Sequence, residues 1–115
     1  MECTTITLTE FSMGKQVWIG LVGVVPRPGS AALGNAKGGF TNALALVTDP
    51  REFERQVTEA LDELGLIPYE FEDIESFTSR IARCEVDEAI KELAPEVERT
   101  GNVRLGTFYN FSRVQ

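Results

Sequence analysis

Histidine is absent from this sequence of 115 residues. With it go the commonest general base and the commonest transition-metal ligand. Cysteine is nearly as scarce. Cys3 and Cys84 lie far apart and match no metal-binding spacing, and in a reducing compartment two such residues stay as thiols rather than forming a bridge. A nucleophilic Cys or Ser would have to borrow a lysine, arginine or carboxylate as its base. Helical spacing offers one such arrangement, with Arg80 four residues before Cys84 and Arg83 next to it. The plainer reading of Cys84 is a buried structural thiol beside Ile81.

Long apolar runs are missing too. The longest, Val17 to Pro26, contains two glycines and falls well short of the roughly 18 residues that cross a bilayer. The opening residues Met1, Glu2, Cys3 and Thr4 include no basic stretch followed by an apolar one, so no signal peptide is expected. The expected setting is therefore the cytoplasm, with no membrane partner. Positive charge is the last scarcity. Eleven basic residues stand against eighteen acidic ones, a net charge of −7. Residues 49–100 carry sixteen acids and six bases, whereas residues 1–48 balance at +1 and residues 101–115 at +2. An acidic field of this kind repels phosphate backbones and argues against nucleic-acid binding. It reads either as a solvated helical face or as an acidic patch for a basic partner.

What is present is ordinary globular composition, 43% hydrophobic and 25% charged, enough for one domain over residues 1–115 and too little for two cores. Thr4 to Phe11 alternates polar with apolar or β-branched residues, the period of a half-buried strand. Gln16 to Val25 is apolar at nearly every position, so a strand here needs cover on both faces. Phe40 to Thr48 reads as a further interior strand. Asp49-Pro50-Arg51-Glu52 is a helix start, with a capping Asp, a proline in the first turn and a glutamate three residues beyond the cap. Phe53, Val57, Ala60, Leu61 and Leu64 then form one stripe, closed by Gly65. Ile67 to Phe71 is expected as a short strand at a sheet edge because of Pro68. A brief helix should face Ile74, Phe77, Ile81 and Cys84 inward. A second, from Val86 to Val97, should be broken or kinked by Pro95. Asn102 to Phe111 reads as one long final strand.

The order β-β-β-α-β-α-α-β predicts an α+β two-layer sandwich, loosely ferredoxin-like, with a mixed or antiparallel sheet of about five strands and helices on one face. On that arrangement Trp18, Val22 and Val24 would be left bare, forfeiting about 5 kcal/mol of burial. Either the long loop folds over them or a second copy does, and they are the expected interface of a homodimer, the commonest symmetric oligomer.

The loop at 27–39 holds four glycines. It is not a Walker loop, because Asn35 and Ala36 follow Gly34 where Lys and Ser or Thr are required. No Gly-x-Gly-x-x-Gly occurs either, and no cofactor is expected. Arg27 and Lys37, with the amides of Gly38 and Gly39, are the candidate anion-binding set; the alternative is a plain connector. Glu70 and Glu72 share a strand face, which suits hydrolysis or cation binding. It equally suits a charged edge that blocks strand pairing, and no metal site is expected. Two functional expectations result. The first is a small, acidic, non-catalytic interaction protein that self-associates or docks on a protein partner, of the type that antitoxins and immunity proteins represent. The second is a domain that binds an anionic metabolite through the 27–39 loop.

Overall fold

The computed structural model describes residues 14–111. The strand expected at Thr4–Phe11 lies outside them. The described chain is an α+β fold. Its elements are β1 (Gln16–Pro26), β2 (Gly38–Val47), α1 (Pro50–Glu63), β3 (Leu66–Ser76), α2 (Phe77–Arg83), α3 (Glu88–Thr100), β4 (Arg104–Leu105) and β5 (Tyr109–Phe111). The sheet runs β3-β1-β2, with β4 and β5 both on the far side of β2, and every pairing is antiparallel. β2 and β3 therefore run parallel to each other with β1 between them, and α1 makes the crossover.

α1 forms where the capping residues ask for it. The Asp49 carboxylate accepts from the Glu52 amide at 2.8 Å, and the Glu52 side chain reaches back to the Thr48 amide at 2.9 Å. Pro50 occupies the first turn, where its missing N–H costs nothing. Gly65, at φ 79°, ends the helix in the left-handed conformation. Phe53, Val57 and Leu61 point from this helix into the sheet and are fully buried against Val22, Val24, Ala43, Ala45 and Val47.

The expectation of helices on one face is corrected. Alternate residues of β1 and β2 face the other way, and Ile19 and Leu44 there are covered by Ile90, Ala94 and Val97 of α3. The molecule has three layers: α1, the sheet, then α3. This is why β1 is oily on both sides. The premise of the dimer interface fails with it, because Val22 and Val24 are sealed under α1 within one chain and Trp18 is half-buried beside them. The Trp18 indole Nε1 is buried without a hydrogen-bond partner among the described residues.

Other elements depart from expectation for visible reasons. β3 extends to Ser76 and contains Ile74, passing two irregularities opposite Ile19/Leu21 and Gly23/Val24, with Asp73 at φ 55°. No residue of α2 is buried, and Ile81 and Cys84 are exposed rather than inward. α3 runs on through Pro95 without a break. The final strand is split into β4 and β5 around Gly106, whose amide donates to the Asn42 carbonyl at 2.8 Å. No helix among the described residues is long and apolar enough to cross a membrane.

Candidate docking surface

α3 covers only part of its sheet face. The remainder is built by register. Gly23 pairs with Phe40, Phe40 pairs with Tyr109, and Val25 pairs with Ile67. Directly paired residues share a face, and Leu21, Gly23 and Val25 share it along β1. A side chain at Gly23 would collide with the rings of Tyr69 and Phe40, at 2.8 Å and 3.0 Å, so both rings lie over that glycine. They meet edge to face with centroids 6.1 Å apart, a favoured aromatic geometry. The result is an apolar strip across four strands: Ile67 and Tyr69 on β3, Leu21 and Val25 on β1, Phe40 on β2 and Tyr109 on β5. Ile67, Tyr69 and Tyr109 are 40%, 49% and 63% exposed, and the other three are half-buried.

Acids border the strip. Glu70 pairs with Gly23 and Glu72 with Leu21, so both carboxylates lie on this face. Hydrogen bonding with Glu70 and its negative charge hold the Glu72 carboxyl above its usual range. Partial burial, then the charges of Glu70 and Glu72, push the Tyr69 phenol up.

Beyond Leu21, where α2 and α3 meet the sheet, lies a cavity of about 270 Å³ lined in part by Asn42, Asp73, Arg80, Arg83, Cys84 and Asp87. Its bases are already committed. Arg80 and Arg83 both pair with Glu75, and Arg80 also donates to the Asp73 carbonyl at 2.6 Å. Hydrogen bonds from Arg83 and then Arg80 hold Glu75 below its usual range. This cluster fastens α2, which has no buried side chain, to the irregular part of β3. The Cys84 thiol is exposed beside it, with no imidazole in the sequence to act as base. Among the described residues, no group of three or more His, Cys, Asp or Glu is arranged to hold a metal ion.

The set expected from the glycine-rich loop is not brought together. Arg27 pairs with Asp62 and its amide donates to the Gly65 carbonyl at 2.9 Å, tying the loop to the end of α1. Lys37 is exposed. Gly38 and Gly39 are buried in β2, paired to Phe111 and Asn110, and neither has positive φ. An anion nest needs alternating right- and left-handed backbone, so none forms there. The loop itself is a succession of turns, among them Ser30 amide to Arg27 carbonyl at 2.8 Å and Gly34 amide to Ala31 carbonyl at 3.0 Å.

Sequence reasoning passed over Phe40, Ile67 and Tyr69 as surface residues, and read Tyr109 as core packing or dimer contact. The usable signal was Gly23. A glycine inside an otherwise bulky strand marks a place where something lies close over the backbone, and here that something is the two rings. No protein-family model, curated protein or solved structure matches this chain.

Proposed function

We propose that this chain is a non-catalytic interaction domain that docks on a protein partner through the part of its sheet that no described element covers. The observation that carries the reading is the strip itself: four strands converge on one apolar surface that α3 stops short of covering. Contiguous exposed apolar surface rimmed by polar residues is the usual mark of an interaction site. Aromatic side chains such as Tyr69 and Tyr109 are the types enriched at such contacts. The free thiol of Cys84 suits a reducing compartment, and the cytoplasm is the compartment we assign.

The test places a photo-reactive amino acid at position 69 or 109 and, as a control, at the exposed Glu59 on the opposite layer. Covalent adducts formed in the producing cell are identified by mass. Adducts with one protein from 69 and 109, and none from 59, are expected. Silence at 69 and 109, or the same adducts from all three positions, refutes the reading.

A further inference from the structure

We infer that the partner meets this surface with a cationic apolar segment, one or two aliphatic or aromatic side chains flanked by lysine or arginine. The inference rests on the docking reading above and specifies its partner. Charge around the strip carries it. Glu70 and Glu72 line the β3 side, and Asp73, Glu85 and Asp87 continue the acidic border around the adjoining cavity. The bases within that border, Arg80 and Arg83, share Glu75 and so leave one positive charge against the five carboxylates Glu70, Glu72, Asp73, Glu85 and Asp87. On the opposite side the exposed Lys37 directly precedes β2. The border is thus negative along β3, where Ile67 and Tyr69 are exposed.

The Glu70–Glu72 pair adds a second argument. Glu70 and Glu72 lie next to each other on one strand face, and Glu70 holds the Glu72 carboxyl above its usual range, so negative charge is crowded there. A cation set against them relieves that crowding, so complementary charge gives the face its selectivity. A second copy of this chain is the poorer occupant. Each copy carries −7, and stacking the two faces brings like-charged surfaces together.

The experiment follows backbone amide resonances of the full chain while three synthetic 12-residue peptides are added. The first has leucines flanked by lysines, the second replaces each lysine by glutamate, and the third replaces each leucine by serine. The cationic apolar peptide is expected to shift Gly23, Phe40 and Tyr69, and the other two are expected to leave them in place. Glu70→Gln/Glu72→Gln, with both residues at the sheet surface, should fold normally and bind the first peptide roughly fivefold to tenfold more weakly. Equal binding of the glutamate peptide, or no loss in the double variant, overturns the partner's chemistry and leaves docking intact. Equal binding of the serine peptide shows that the apolar strip is unused and overturns it too. Position 69 cross-linking to a second copy, or the same three amides shifting on removal of residues 1–13, assigns the face to another occupant and overturns the inference. The docking reading itself falls only on its own outcome, silence or non-selectivity at positions 69 and 109.

Discussion

Two glycines of β1 show how a single missing side chain shapes each face. A Cβ at Gly20 would come within 2.9 Å of Phe53 Cε2 and 3.0 Å of Ile74 Cγ1. Phe53 is fully buried and has nowhere to retreat. A Cβ at Gly23 would meet Tyr69, at 2.8 Å, but that ring is half exposed and can swing outward. Gly20→Ala is therefore expected to cost about 1–3 kcal/mol, the range for overfilling a packed core, and Gly23→Ala distinctly less. Urea unfolding of the two variants checks the order, and an equal or reversed order would show that the rings over Gly23 are as firmly held as Phe53. The carboxylates make a second residue-scale case. Glu75 lies below its ordinary value of 4.5 because of Arg83 and Arg80, so its contribution to stability is complete above about that pH and is lost as pH falls further. Glu72 lies above the same value because of Glu70, so its ionisation opposes folding and acidification toward 4.5 relieves it. Stability should hold or rise slightly on approaching that pH from neutrality and then fall. Glu72→Gln should remove the rise, and Glu75→Gln should flatten the fall. A wild-type midpoint that declines steadily from pH 7 contradicts the Glu72 assignment.

Among the elements, α1 was legible almost to the residue because its signals are local: a capping Asp, a proline in the first turn, a regular stripe and a closing glycine. β1 was legible as a strand needing cover on both sides. What covers it was not, since the Ile90, Ala94 and Val97 stripe reads the same whichever face it meets. Elements shaped by their neighbours were harder. Ile74, Phe77 and Ile81 mimic helical spacing, yet β3 continues past Asp73 and the helix begins only at Phe77. The last strand is interrupted because α3 presses on it. A Cβ at Gly106 would lie 2.7 Å from Ile90 Cδ1, and the Thr41 hydroxyl donates to the Gly106 carbonyl at 3.0 Å, a bond made across the chain rather than along a ladder. The surface strip was illegible for the same reason, since it depends on where α3 stops. Pro95 sits inside α3 with its outer side exposed. It cannot donate to the carbonyl four residues back, and its ring crowds that carbonyl. The helix persists because its apolar stripe is buried on the sheet. Pro95→Ala should restore the bond and raise stability by about 1–3 kcal/mol, read as a higher thermal midpoint with unchanged circular dichroism. A lower midpoint would mean the ring makes a contact worth more than the bond it prevents.

At the scale of the molecule, charge and apolar surface are set against each other. α1 and α3 carry much of the acid between residues 49 and 100 on opposite layers, while the open part of the sheet presents aromatic rings. At neutral pH the net charge of −7 keeps molecules apart although no described element covers that strip, because like-charged particles repel before short-range apolar contact can act. Near the sequence pI of about 4.6 this repulsion vanishes while Glu75 still keeps its partners, so the fold survives with its strip unprotected. Light scattering at micromolar concentration should then show association rising as pH approaches that value, with the circular dichroism spectrum unchanged. Tyr69→Ser/Tyr109→Ser, which removes the two most exposed rings of the strip, should suppress the association without moving the pI. If the double variant associates at the same pH and to the same extent, the surface that drives contact lies elsewhere, and exposed Leu64 and Ile81 become the next residues to replace. If it stays dispersed, one surface accounts for the behaviour. A basic partner would then do at neutral pH what acidification does here, cancelling the charge that holds other surfaces away from the rings.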